Sequence, residues 1–385
     1  MRVLSVIPNY TDRSGGTTVS VSNFARALGS DVLSFTLESR IATARHGEGI
    51  FHIPVPDSPL GRQYSLPRAC DIRKATQLAH NYDLIICHVL FRFHNGWVSR
   101  LGKPYFIVPH GSLDPYVFTY RRLQKEMWLL LSGARYFDRA EGVIFATRRE
   151  RQKAWRGIGS DKSSVISWPV EGGRTEKSPD RAEVRKQLGI TENEKMLLFL
   201  GRLDSMKRPL ETIEAFAQAA QTNLHLVMVG PEFQYSVDEL RRATTRLGAR
   251  NVHVLGPVFG DAKWGFYNAA DGYISLSLRE NFGYSAAEAL HAGLPLILSP
   301  GNDLGHELDG EGCSWQLMTN KREDAVRAIQ AFGQAKPETL RQMGERGKRW
   351  VIANTSIECF RSKVRDLVLS QDTEEINRPL VSTSI

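Results

Sequence analysis

Short apolar runs alternate with stretches of helical spacing along most of the chain. In the first half the runs lie near residues 2–7, 32–37, 50–55, 83–89, 104–109, 142–146 and 164–168, and helical patterns fall near 17–29, 66–80, 120–134 and 148–156. Strands parted by helices predict a parallel sheet covered on both faces. The second half repeats the scheme, with runs near 196–201, 224–229, 252–256, 272–278, 295–298 and 314–317. The pattern predicts an α/β chain built from two Rossmann-like domains.

Length agrees with this, because 385 residues exceed what a single hydrophobic core covers, roughly 250–300. The join is expected between Trp168 and Arg181, where WPVEGGRTEKSPDR is rich in Gly, Pro and charge. The expected division is therefore 1–168 for the first domain and 181–352 for the second. A closing helix is expected over about 356–370, with apolar spacing at 357–369, and a polar tail over 371–385 is expected to be poorly ordered.

Composition changes the picture only a little. Fifty Lys and Arg against 42 Asp and Glu give a net charge of +8, which suits phosphate, nucleic acid or anionic lipid alike. The four cysteines, at 70, 87, 313 and 359, form neither a CxxC pair nor a zinc spacing, so reduced thiols of a cytoplasmic protein are expected. The first apolar run stops at Pro8 without a cleavage site, and no run reaches the ~18–20 apolar residues that span a bilayer.

Two loops carry candidate chemistry. The stretch 279–295, RENFGYSAAEALHAGLP, follows an apolar strand and leads into a helical pattern from Tyr284. Unpaired N–H groups and the macrodipole favour an anion at a helix start, so Phe282, Gly283 and Tyr284 are placed to meet a phosphate. Glu280 in the loop and Glu288 within the helix flank that point and supply acceptors for sugar hydroxyls. The stretch 196–216, MLLFLGRLDSMKRPLETIEAF, places Gly201, Arg202 and Lys207 between a strand and a helix that Pro209 opens well. Arg engages phosphate bidentately and Lys adds a compact charge.

The first of these stretches resembles the Glu-x7-Glu signature of retaining glycosyltransferases of family 4, and the second resembles the Gly-Arg and Lys block of the same family, in the same order. The likeness covers about residues 3–369. It implies the GT-B architecture, two Rossmann-like β/α/β domains facing across a cleft, with the closing helix returning to the first domain. It also implies a nucleotide-sugar donor, UDP- or GDP-linked. Arg202 and Lys207 would then bind the diphosphate with Phe282 and Gly283, Glu280 would orient the donor sugar, Glu288 would bind the ribose, and main chain near Val258 would read the base. Relatives often carry Pro-Asn-Gly at the domain join, whereas this chain has Trp168-Pro169-Val170.

In the first domain, Ser14-Gly15-Gly16 opens a helix after the first strand; by similarity Gly16 lies over the donor phosphate or the acceptor, and otherwise the glycines form a plain turn. The segment is not GxGxxG, which disfavours a dinucleotide fingerprint. His110 follows the strand YFIVP, at the strand end where ligands of such sheets gather, and PHGSLDP resembles the family's His-Gly segment beside the transferred sugar. No two Asp residues are spaced by two, so no Asp-x-Asp metal pair exists, and neither a metal nor another cofactor is expected.

The function implied is transfer of a sugar with retention to a carbohydrate or lipid-linked acceptor, for an envelope or exported polysaccharide, with no nucleic acid as partner. An isomerase or hydrolase of nucleotide sugars, and a non-catalytic nucleotide-sugar-binding protein, are the alternatives on the same architecture. Residues 115–139 mix Tyr116, Tyr120, Arg121, Arg122, Lys125, Trp128 and Arg135 with leucines. They read either as a peripheral contact with the inner face of a membrane or as a core-facing stripe with a solvated basic face.

Overall fold

The computed structural model describes residues 1–11, 15–173 and 178–376. The chain forms two compact units, one made of Met1–Pro169 with the closing helix, the other of Val170–Ser356.

The first unit contains β1 (Val3–Ile7), β2 (Asp31–Leu37), β3 (Ile50–Val55), β4 (Leu84–His88), β5 (Tyr105–Val108), β6 (Gly142–Phe145) and β7 (Ser163–Val165). They form one parallel sheet in the order β3-β2-β1-β4-β5-β6-β7. A parallel sheet is covered on both faces, and the central strands accordingly read as unbroken apolar runs with β1, β4, β5 and β6 buried throughout. The strand order reverses between β1 and β4, and loops leaving the carboxyl ends of strands at such a switch are where ligands of these sheets bind.

The first helix, Gly16–Leu28, starts at Gly15, whose φ of 68° is the left-handed region that glycine tolerates. Its inner face packs on the closing helix, with Phe24 and Phe360 rings 4.6 Å apart and the Arg361 Nε donating to the Ala27 carbonyl at 2.7 Å. That helix, Ile357–Ile376, runs past the expected limit near 370, because Gln371, Glu374 and Glu375 are sound helix formers although the segment is polar. Residues 377–385 lie outside the described residues.

The helix expected over 120–134 is broken. A 3₁₀ turn at Pro115–Thr119 ends before Arg121, which has φ 52°, and the α-helix Arg122–Trp128 passes through a π turn, Leu129–Gly133, into Ala134–Asp138. A π turn inserts a residue and rotates the side chains beyond it about the helix axis. Tyr136 is thereby buried, while Leu123, Met127, Leu130 and Leu131 stay 78%, 52%, 76% and 76% exposed. These leucines do not form the core-facing stripe that was one reading of the segment.

The second unit contains β8 (Lys195–Leu200), β9 (Leu224–Val229), β10 (Val252–Leu255), β11 (Gly272–Ser275), β12 (Leu296–Leu298) and β13 (Ser314–Gln316), parallel in the order β10-β9-β8-β11-β12-β13. Its core joins Leu197, Phe199, Leu226, Met228, Ile274 and Ile297 to Ile213, Phe216, Ile329 and Phe332 of the covering helices. The order reverses between β8 and β11. The two loops that the sequence marks for chemistry leave those two strands, so the sheet itself sets them side by side.

Candidate active site

Backbone contacts fix the two loops to each other. After β8 the chain makes a tight turn in which Asp204, 3% exposed, accepts the Lys207 N–H through Oδ1 at 2.9 Å and lies 3.2 Å from Arg202 through Oδ2. Asp204 thus aims both cations. After β11 the Leu278 N–H donates to the Met206 carbonyl at 2.8 Å. The Glu280 N–H donates to Gly301 at 2.8 Å and its carbonyl accepts from Asp303 at 2.9 Å, holding Glu280 from both sides. Gly301 permits this approach, because a Cβ there would stand 2.3 Å from the Leu278 carbonyl oxygen.

Lys207 and Glu280 meet as an ion pair, with 22% and 21% of their side chains exposed. Burial lowers the Lys207 ammonium to about 8, with Asp204 opposing the shift and Arg202 adding to it. Arg202 is more open, and its guanidinium lies 5.3 Å from the centre of the exposed Phe233 ring.

The helix Tyr284–His291 begins at Gly283, whose φ of 77° again needs glycine, and a side chain there would also press on the Glu280 Cγ at 3.2 Å. Phe282 is buried at 2% exposure, so its ring is withdrawn from any ligand at the helix start. Glu288 lies on the buried side of this helix. Its Oε1 is 2.6 Å from the Lys263 Nζ, and its Oε2 accepts from the Tyr267 hydroxyl at 2.9 Å. Lys263 and Tyr267 belong to the helix Asp261–Ala269, which starts directly after the loop holding half-buried Val258.

The structure therefore brings Arg202, Lys207, Glu280, Phe282 and Gly283 together at the switch point of one sheet, with Glu288 held from the Val258 side. Sequence reasoning missed Asp204, Lys263 and Tyr267. A signal existed for the last two in their four-residue spacing, which puts them on one helix face, but nothing in the sequence said that this face meets Glu288.

Gly16 and His110 belong to the first unit. Gly16 is exposed at the start of its helix, and a side chain there would meet nothing within 4 Å. Ser14 lies outside the described residues. His110, just past β5, has φ 51°, a strained value for a residue other than glycine. Its Nε2 is 2.9 Å from the Nδ1 of His88 at the end of β4, and its ring lies 5.4 Å from that of Trp168. Burial lowers His110 to about 3 and His88 well below its usual value, so both rings are neutral and one donates to the other. The buried His88 Nε2 has no hydrogen-bond partner among the described residues. Next to His110, the Gly111 N–H donates to the buried Glu150 carboxylate at 2.7 Å. Among the described residues no three His, Cys, Asp or Glu side chains gather as a metal site would require.

With this geometry in view, the likeness to known proteins is specific. Residues 14–171 match the model of Glycosyltransferase Family 4, and residues 180–350 match that of Glycosyl transferases group 1. Alpha-monoglucosyldiacylglycerol synthase of Streptococcus pneumoniae is 28% identical over 240 residues, 58% of this chain and 54% of that protein. The chain spans about half the length of the first curated relatives it matches. Among solved structures, Anabaena HepE in complex with UDP and glucose superposes with a TM-score of 0.74 at 18% identity, covering 96% of this chain and all of that one. Sucrose-phosphate synthase of Thermosynechococcus elongatus gives 0.73 at 21% identity, covering 97% and 100%.

Proposed function

The chain belongs to the glycosyltransferases of the GT-B fold, and from that premise we propose that it moves a sugar from a nucleotide-sugar donor to a saccharide or lipid-linked acceptor. The observation that carries this reading is the meeting of Arg202, Lys207 and Glu280 beside the helix start at Gly283. Such an arrangement binds a diphosphate and keeps a carboxylate within reach of the sugar attached to it. A uridine diphosphate donor is favoured over a guanosine one, because the superposed HepE structures hold UDP, UDP with glucose, and UDP-glucose.

Cleaving the sugar–phosphate bond leaves an oxocarbenium-like sugar and adds negative charge to the departing diphosphate. Cations and N–H groups already in place lower that barrier, since they need no reorganisation as charge develops. Arg202, Lys207 and the helix start fill this role, and the reaction so described needs no metal. Glu280, now paired with Lys207, is freed for a sugar hydroxyl when phosphate takes its place on the lysine. Glu288 accepts from the ribose. We take transfer to proceed with retention through same-face attack by the acceptor, with Glu280 accepting from a sugar hydroxyl and Glu288, paired with Lys263, kept at the ribose, neither serving as covalent nucleophile. For His110, in the first unit, the role we propose is contact with the transferred sugar through its neutral ring or its carbonyl.

A lipid-linked acceptor at the inner face of a cell membrane is supported by the exposed Leu123, Met127, Leu130 and Leu131 interleaved with Arg121, Arg122 and Lys125. Assembly of an envelope or exported polysaccharide is the process this fits. The test is a thermal-shift screen against UDP, GDP and a panel of their sugars, followed by product analysis with and without acceptor. A donor that stabilises the chain and is consumed only with acceptor supports transfer, whereas consumption without acceptor identifies an isomerase or hydrolase.

A further inference from the structure

Glu288 stands among Ala286, Ala287, Ala289 and Leu290 on the buried part of its helix. A carboxylate in such surroundings is costly unless it is paired and hydrogen-bonded. Both of its partners come from one helix, where Lys263 and Tyr267 are four residues apart and so lie on one face. We infer that Lys263 and Tyr267 are positioning residues which hold Glu288 as an oriented acceptor for the paired hydroxyls of the donor ribose, and so set the preference for ribose over deoxyribose. This rests on the reading of Glu288 as the ribose acceptor.

An ionised carboxylate offers about four lone-pair positions and donates nothing. Lys263 takes one position on Oε1 and Tyr267 takes one on Oε2, leaving one on each oxygen. Two acceptor positions side by side on a planar group match the two adjacent hydroxyls of a ribose. Lys263, 2.6 Å from Oε1, donates from one side of the carboxylate and so fixes the direction in which its open positions point. Tyr267 limits rotation of the carboxylate, its single hydroxyl hydrogen lying between Glu288 Oε2 at 2.9 Å and the Ser285 carbonyl at 3.1 Å. The helix that bears both residues opens at Gly260, two residues after Val258, so the loop proposed to read the base leads straight into the residues that orient the ribose acceptor.

The competing account is an ion pair that only supports the fold. Buried pairs often contribute little to stability, so their presence alone does not decide. Calorimetry of the full chain with UDP, GDP and their 2′-deoxy forms separates the two, using Lys263→Met, Lys263→Arg, Tyr267→Phe and Glu288→Gln. Lys263→Met is expected to weaken the ribonucleotide by about tenfold, the scale of one hydrogen bond to a charged group, while the deoxy form changes little, so the preference shrinks. Lys263→Arg should keep the preference, and Tyr267→Phe should reduce it less than Lys263→Met does. In transfer assays the loss should fall on the donor KM more than on kcat.

A folded Lys263→Met that keeps the wild-type preference, or weakens both forms equally, overturns the inference. If Lys263→Met does not fold, an unaltered preference in Tyr267→Phe overturns it instead. Should Glu288→Gln itself retain the preference, or should wild type bind neither UDP nor GDP, the ribose reading of Glu288 fails. Loss of preference in Glu288→Gln but not in the Lys263 and Tyr267 variants removes the positioning role alone.

Discussion

The Lys207 ammonium closes on the Glu280 carboxylate across 73 residues of sequence, joining the loop after β8 to the loop after β11. The pair stands where a diphosphate and its sugar are proposed to bind, so each residue neutralises the other until the donor divides them. In the proposed reading the donor phosphate takes the carboxylate's place on Lys207 and the displaced Glu280 turns to a sugar hydroxyl, so that donor binding would assemble the site.

This pairing gives a pH prediction. Burial lowers Lys207 to about 8, against roughly 10.4 for a free lysine, so it loses its proton as pH rises through 8. Affinity for UDP should therefore hold below pH 8 and fall above it, and Lys207→Arg should remove the alkaline fall, since arginine stays charged. The stability effect has the opposite sign. Between about 8 and 10.4 the unfolded chain binds more protons than the folded one, so this group's burial penalty, complete below pH 8, is relieved as pH rises. Titration calorimetry from pH 6.5 to 9.5 checks the binding, and a flat wild-type profile would remove Lys207 from the diphosphate.

Much of this arrangement was legible because the two signals that matter are local. Strands of a parallel sheet are buried on both faces and announce themselves as apolar runs, and the loops after β8 and β11 carry Gly-Arg and the two glutamates in plain sight. Strand order was not readable, yet the repeated alternation made a switch point between β8 and β11 the natural outcome of right-handed crossovers. The broken helix after Arg121 was not legible, because a π turn and a left-handed arginine depend on how Trp128 and Tyr136 find the core. Lys263 and His88 stayed hidden for a related reason. Each matters through one side chain on another element, and spacing within an element says nothing about such a partner.

The exposed segment after Arg121 yields a second prediction. Leu130→Ser with Leu131→Ser should reduce co-sedimentation with phosphatidylglycerol-containing vesicles by at least about tenfold, since each apolar side chain entering the interface is worth ~1.5 kcal/mol or more. Neutralising Arg121, Arg122 and Lys125 should lower binding to anionic but not neutral vesicles, by ~1 kcal/mol per charge. The leucines are exposed, so melting temperature should hold. Unchanged sedimentation in both variants would assign this face to some other role.

Metal dependence is a separate matter. If Arg202, Lys207 and a helix start meet the diphosphate charge as proposed, transfer should proceed in excess EDTA at close to its full rate. Activity abolished by chelation and restored by magnesium or manganese would mean that these cations do not suffice for the leaving group.

The last prediction separates the two glutamates by their surroundings. Glu280 faces Lys207 in a loop clamped by Gly301 and Asp303, where the sugar is proposed to join the diphosphate, whereas Glu288 faces Lys263 and Tyr267 and is proposed to meet a ribose that does not react. Glu280→Gln keeps the shape and removes a charge beside a centre that becomes positive, so kcat should fall by about a hundredfold, the scale of losing one preorganised electrostatic contact. Binding of UDP should change little, and it should tighten if anything, because Lys207 no longer has to leave a carboxylate. Glu288→Gln should weaken donor and UDP alike by ~1.5–3 kcal/mol, with kcat at saturating donor much less affected. It leaves the Lys263 charge without its partner, so its melting curve must be compared with wild type before binding is read. Normal turnover in Glu280→Gln, or wild-type UDP affinity in a folded Glu288→Gln, would contradict the division of roles, because in either case the carboxylate would not touch the group assigned to it.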